Sequence, residues 1–395
     1  MRAVLVVAVA AAIVPACRKK APPHTMGLVL DVGGRGDQSF NDAALRGLEI
    51  MAAGLKYTPD GYQQLSDPEY LRLLPVDLRT QRPPPHLGIP PPIVLQGKAQ
   101  EDYEPDLALL ATQNAELVIA VGFMMEPAVR KVARDHPKTK FLLIDSPVLD
   151  DSGRPATLPN VRAVVFRENE GSFLVGALAG KITKTGKIGF VGGMQLPLIQ
   201  KFETGFRAGI QVVNPAAARN VLVAYTGTFD DEAKGIEVGL DLYRRGCDIV
   251  FHAAGLDGLG VIKAAEQAHK LVIGVDSDQS HVAPDNVLTS MIKHTDLAVY
   301  RSILEVLRGR FQGGDVVLGL SDKALGLARF SGFRILEEMG YDSHALVQIN
   351  NDVKSLQAAV ATGRITVPAT PAELKAFRAP DAEARRTLEI APARQ

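Results

Sequence analysis

From Met26 onward the chain repeats one theme: a short, nearly continuous apolar run, a turn, then an amphipathic helical stretch. Continuous apolar runs of strand length belong to parallel sheets covered by helices on both faces, whereas half-exposed strands alternate. The runs are 27–30, 117–121, 141–144, 188–191, 221–224, 249–251 and 271–275. Helical patterning separates them at 41–53, 126–135, about 170–182, about 197–212, about 231–244 and about 259–269, and in the first of these Ala44, Leu45, Leu48 and Met51 share a face. So many strands over most of 395 residues exceed one core, and an α/β fold of two lobes is expected. One stretch, 57–98, breaks the pattern with Pro83-Pro84-Pro85 and Pro90-Pro91-Pro92, and reads as an irregular inserted loop with polyproline pieces.

The N-terminus reads differently. Arg2 precedes an apolar run over 3–13, too short for a bilayer core that needs about 20 residues and suited to a secretory signal. The run ends Val14-Pro15-Ala16-Cys17, which resembles a bacterial lipobox with Cys17 as the acylated first residue of the mature chain. Pro15 departs from the pattern, which leaves cleavage without lipid open. Residues 1–16 are then a signal peptide and 17–25 a tether, with Arg18, Lys19 and Lys20 beside lipid headgroups. The other cysteine, Cys247, heads an apolar strand and is expected to be a buried small hydrophobe.

With 44 basic and 44 acidic residues the chain lacks the basic footprint of a general nucleic-acid binder. No His-Glu-x-x-His, no Gly-x-Ser-x-Gly and no phosphate-binding Gly-x-x-x-x-Gly-Lys-Ser/Thr loop is present. Gly33, Gly34 and Gly36 follow the first strand, but Ser39 stands where a dinucleotide loop needs its last glycine. No metal, cofactor or catalytic residue is expected.

Ligands of open parallel sheets bind beyond the carboxyl ends of the strands. At those positions stand Asp31 with Asp37 to Asn41, Gly122-Phe123, Gly192-Gly193-Met194 with Phe202 beyond, Gly227 to Asp231, Ala253 to Gly258, and Asp276 to Gln279. Carboxylates and amides suit a ligand rich in hydroxyl or amide groups, and Phe faces suit a flat ring. Taken singly, Asp31 and Asp276 are also ordinary turn residues, and Asp37, Ser39 or Asn41 an ordinary helix cap. Gathered on one rim, they point to a site.

These same segments resemble the basic membrane protein family of lipoproteins, purine nucleoside receptor type, which are substrate-binding proteins of ABC transporters with the periplasmic-binding-protein type 1 fold. The likeness rests on Asp31-Val-Gly-Gly-Arg-Gly-Asp37-Gln-Ser39-Phe40-Asn41, on Glu170-Gly171-Ser172-Phe173-Leu174, on 184–194 and 202–206, on Phe229-Asp230-Asp231, on Ala253-Ala254-Gly255, on Gly274-Val-Asp276-Ser-Asp278-Gln279, and on 288–293. The resemblance implies a purine nucleoside between the lobes: Asp31 and Asn41 hydrogen-bonded to the base, Phe40 and Phe202 sandwiching it, and Gly255, Asp257, Asp276 or Asp278, and Lys293 facing the ribose. It implies an ABC permease and ATPase as partners, and three passages between lobes near 166, 290 and 316. The N-terminal lobe would be 26–165 plus about 291–315, the C-terminal lobe 166–290 plus about 316–369, and 370–395 a loosely helical tail. Its second strand is either Ile93-Val94-Leu95 or Pro75 to Leu78. Two other readings stand beside this one: a sensor or scaffold lipoprotein with another ligand, and a nucleoside-processing hydrolase.

Overall fold

The computed structural model describes residues 24–75 and 86–379. In chain order its strands are β1 (Met26–Leu30), β2 (Leu55–Thr58), β3 (Gly61–Gln64), β4 (Ile93–Gln96), β5 (Leu117–Val121), β6 (Lys140–Ile144), β7 (Val161–Phe166), β8 (Ile188–Gly192), β9 (Leu222–Tyr225), β10 (Ile249–Ala253), β11 (Leu271–Asp276), β12 (Val287–Lys293), β13 (Gly314–Leu318) and β14 (Leu325–Leu327). They build two six-stranded sheets, in the order β13-β7-β6-β5-β1-β4 and β14-β12-β11-β10-β8-β9. Every pairing within them is parallel except β12 with β14. Each sheet carries helices on both faces, which is why β1, β5, β8, β10 and β11 are buried along their whole length.

The chain passes between the sheets three times. It leaves β7 for the helix Glu168–Ile182 of the second lobe, leaves β12 for the helix Thr295–Leu307 packed on the first lobe, and leaves β13 for β14. The two lobes are therefore joined by three neighbouring segments at one side, the arrangement of a hinge.

Two local expectations are corrected and one open alternative is decided. The first helix is α-helical only over Phe40–Leu45 and continues as a π-helix over Arg46–Ala52. Here Gly47 lies so close to the Thr295–Leu307 helix that a Cβ would stand 2.5 Å from the Asp296 carbonyl oxygen. The Pro-rich stretch is not simply irregular. Pro59-Asp60 turns the hairpin β2–β3, with Gly61 opening β3 opposite Thr58; Tyr57 and Tyr62 pack edge to face, and Ser66 with Glu69 caps a helix Asp67–Leu73. Of the two candidate second strands, Ile93–Gln96 pairs with β1, while residues 76–78 lie outside the described residues. In the tail the helix Pro371–Ala376 is closed by a Thr370–Glu373 capping box, and residues 380–395 lie outside the described residues. Cys247 is buried, and burial pushes its thiol up to about 11, which keeps it unreactive.

Candidate ligand-binding cleft

The carboxyl ends of the two sheets face one another across a cavity with about 560 Å³ of atom-free space, its mouth included. The first lobe contributes Asp31, Gly33, Asp37, Phe40, Asn41, Phe123 and Asp145. The second contributes Leu198, Ile199, Phe202, Phe229, residues 253–255, Val275 and Asp276, with Lys293 at the end of β12. A wider trough outside the cleft, along the helix Ser343–Ala361, is larger but open. The cavity between the sheets brings together buried Asp31, Asp37, Asn41, Asp145, Asp276 and Lys293 and is the candidate site.

The wall after β1 is built by Asp37. Its carboxylate accepts the backbone N–H groups of Ser39 (2.9 Å), Asn41 (2.8 Å) and Asp42 (3.1 Å), which caps the helix that starts at Phe40. The same carboxylate accepts from Asn41 Nδ2 at 3.1 Å, while Asn41 Oδ1 accepts the Asp31 N–H at 3.1 Å. The amide is thus locked in one orientation with one N–H and one lone pair to spare. Burial pushes the Asp31 carboxyl up to about 7, opposed by the N–H groups of Gly33 and Val32 and reinforced by Asp37 and Asp145. Asp37 rises to about 7, again through burial and then its neighbour Asp42.

Lys293 is the cation of the site. Its Nζ lies 2.6 Å from Asp145 Oδ2 and 3.9 Å from both Glu168 Oε1 and Asp276 Oδ1. It also lies over the rings of Phe40, Phe166 and Phe202, at 4.6, 5.3 and 5.6 Å from their centroids. Burial alone would strip its charge, but Asp145, Asp276 and Glu168 outweigh burial and raise its pKa above the ordinary lysine value. Glu168 is raised to about 7 by burial, against the pull of Lys201 and Lys293. Asp145 Oδ1 and Asp276 Oδ1 are buried and make no hydrogen bond within the described residues.

The lobes also touch directly. Ser39 Oγ donates toward Asp276 Oδ2 (2.8 Å) and the Val275 carbonyl (3.2 Å), Ser277 Oγ donates to the Ser39 carbonyl (3.1 Å), and His281 Nε2 meets Gln38 Oε1 at 2.6 Å. Gln38, Asp145 and Asp276 hold positive φ (50, 71 and 62°), a conformation that side chains other than glycine rarely adopt and that clusters at functional sites.

Of the residues named from sequence, Asp31, Phe40, Asn41, Phe202, Gly255, Asp276 and Lys293 meet in this cavity. Asp257 and Asp278 do not. The helix Asp257–Ala268 begins at Asp257, so that carboxylate turns back beneath the wall, accepts the Asp231 N–H at 2.7 Å, and is pushed up to about 6 by burial. Asp278 is exposed, accepts the Ser280 N–H and faces the outer trough. Cys17 lies outside the described residues. The sequence reading missed Asp145 and Glu168. Asp145 directly follows the apolar run of β6, as Asp31 follows β1, so the strand-end rule applied once more would have found it. Glu168 opens a helix and carries no comparable signal.

Two helix-covered, mainly parallel sheets, joined by three crossings and facing each other across a cavity, have the fold of the periplasmic solute-binding proteins. A solved ABC transporter solute-binding protein from Aeropyrum pernix K1 superposes with a TM-score of 0.68 at 25% identity, covering 90% of this chain and 96% of that one. One from Conexibacter woesei shares the fold at a TM-score of 0.58 and 19% identity, covering 87% of this chain and 98% of that one. The chain belongs to the family described as ABC transporter substrate-binding protein PnrA-like, whose model matches residues 25–355. It is 32% identical over 329 residues to the CD4+ T-cell-stimulating antigen of Listeria monocytogenes, covering 78% of this chain and 81% of that protein. It is 34% identical over 258 residues to basic membrane protein B of Borrelia garinii, covering 63% of this chain and 74% of that protein. Among the described residues no helix is long and apolar enough to cross a membrane.

Proposed function

We propose that this chain is the lipid-anchored receptor of an ABC importer, and that it binds a purine nucleoside between its lobes for delivery to a permease. The observation that carries this reading is the pairing of Phe40 and Phe202 across the cavity. Phe40 comes from the first lobe and Phe202 from the second, both line the cavity, and both rings lie beside Lys293 Nζ, which supports a flat ring held between them. The remaining polar surface supports the same ligand class. Asp145 Oδ1 and Asp276 Oδ1 are acceptors without donors, which ribose hydroxyls would supply, and Asp31 and Asn41 can read the edge of a base. Cys17 would carry the acyl chains, each buried methylene adding about 0.8 kcal/mol of membrane affinity.

The test is mass spectrometry of ligand released from the purified protein, followed by calorimetry with a panel of nucleosides. A purine nucleoside recovered and bound tightly is the expected result. A sugar or amino acid recovered instead, with no heat from any nucleoside, would refute the ligand and leave the fold untouched. Release of free base from inosine on incubation would show the chain to be a hydrolase.

A further inference from the structure

The cavity has a second pair of phenylalanines that the base-stacking scheme does not use. Phe123 follows β5 in the first lobe and Phe229 follows β9 in the second. Their rings meet edge to face, with centroids 6.3 Å apart and planes at 73°. Both line the cavity and both are half-buried, as rim residues are.

Each phenylalanine is placed by a glycine. A Cβ on Gly193 would stand 2.2 Å from the Phe229 ring, so that ring lies directly on bare backbone. The Phe229 carbonyl accepts the Leu256 N–H at 2.9 Å, which fixes the loop from below. On the other side Gly122 has φ of +121° and packs so closely on Asp31 that a Cβ would be 2.6 Å from Oδ2, which launches Phe123 toward the opposite lobe. β9 is the edge strand of its sheet, at the far end from β12 and β14, where the chain crosses between lobes. A hinge rotation moves that distal edge farthest, so a contact there is the first to break on opening.

We propose that Phe123 and Phe229 form an aromatic gate at the mouth of the cleft, and that they set how long a ligand stays instead of which ligand binds. This rests on the nucleoside reading of the same cavity. Dissociation of tritiated inosine in a cold chase, for the wild type, Phe123→Ala, Phe229→Ala and the double variant, tests it. Edge-to-face coupling predicts a dissociation rate raised about 2- to 12-fold by either change, with the association rate nearly constant. The double variant should be no faster than the faster single one. Phe229→Leu, which keeps apolar volume without the ring, and Gly193→Ala, which keeps the ring but displaces it, should reproduce the effect if Phe229→Ala folds poorly. Unchanged dissociation, or independent multiplicative effects of the two changes, would overturn the gate.

A second readout needs no ligand. Spin labels at the exposed positions Lys138→Cys and Gln267→Cys, in a Cys17→Ser background, report the distance between lobes. The short-distance population should fall in Phe229→Ala, and an identical distribution would overturn the gate. If the wild type does not bind inosine, the nucleoside reading fails while this measurement still decides the gate.

Discussion

Replacing Lys293 by Met removes the cation shared by Asp145, Glu168 and Asp276 while keeping an unbranched apolar side chain, and leaves Glu168 only its contact with Lys201 Nζ at 3.3 Å. The ammonium is 2% exposed and the Asp145 and Asp276 carboxylates it leaves are 5% and 8% exposed, so neither stranded charge can turn to water. Removing one partner of a buried ion pair costs about 3–5 kcal/mol. For a lobe of this size that lowers the melting temperature by about 6–20 °C. The pKa of Lys293 is raised in the folded state, so its contribution is fully present below the unfolded lysine value of about 10.4 and is lost only as pH rises through the folded value. At pH 5–8 the wild type therefore keeps its pair. In the variant the orphaned carboxyls can take up protons, so the deficit should shrink from pH 8 to pH 5. Adding Asp145→Asn removes one stranded charge, and the double variant should be less destabilised than the sum of the singles by about 0.5–3 kcal/mol. Calorimetric scanning of the four proteins at pH 5, 6.5 and 8 measures all of this. A drop under about 3 °C, or a deficit that grows toward low pH, would refute the claim that Lys293 neutralises this cluster.

Phe202→Ala should weaken nucleoside binding by about 1–3 kcal/mol in a folded protein, measured by calorimetry, if its ring stacks on the base. Asp31, Asp37 and Glu168 each have folded pKa values raised to about 7, so their contribution to stability is full below about 4 and is lost as pH rises through 7. The ligand-free protein should thus have a higher urea midpoint at pH 6 than at pH 8, with a shallower slope in Asp31→Asn; the reverse slope would count against these burial-driven shifts. Lys181→Met strands Asp352, whose Oδ2 lies 2.6 Å from the ammonium between the helices Glu168–Ile182 and Ser343–Ala361. It should cost about 3–5 kcal/mol in urea unfolding yet leave nucleoside affinity unchanged, because the pair lies away from the cleft.

The parallel sheets were legible because burial on both faces writes itself as unbroken apolar runs, and β5 begins and ends where Leu117–Val121 predicts. β13 was not, because it is an exposed edge strand whose Asp315-Val316-Val317 lacks that continuity. The hairpin β2–β3 carried a usable Pro59-Asp60-Gly61 turn signal, but it sat inside a proline-rich stretch that overrode it. In the site, Asp31, Asn41 and Asp276 followed from their place after strands. Asp257 has the same kind of place and fails because a helix starts on it, which turns its carboxylate under the wall. Strand-end position locates a backbone; only the first residue of the following element decides where its side chain goes.

Closure of this cleft couples to the ligand through what remains unsatisfied. Bringing the lobes together forms Lys293–Asp145, Ser39–Asp276 and Gln38–His281 without a ligand, so the closed form has contacts of its own. The same closure buries Asp145 Oδ1 and Asp276 Oδ1 with no donor, and each unpaired acceptor costs about 1–3 kcal/mol. This cost opposes the interlobe hydrogen bonds. A ligand that donates to both carboxylates while filling the space between Phe40 and Phe202 removes the desolvation cost only when both lobes touch it, which is the differential interaction that a shift from open to closed requires. A flat ring without donors would gain the stacking and leave the carboxylates unpaired, so it is the hydroxyl-bearing part of the ligand that drives closure.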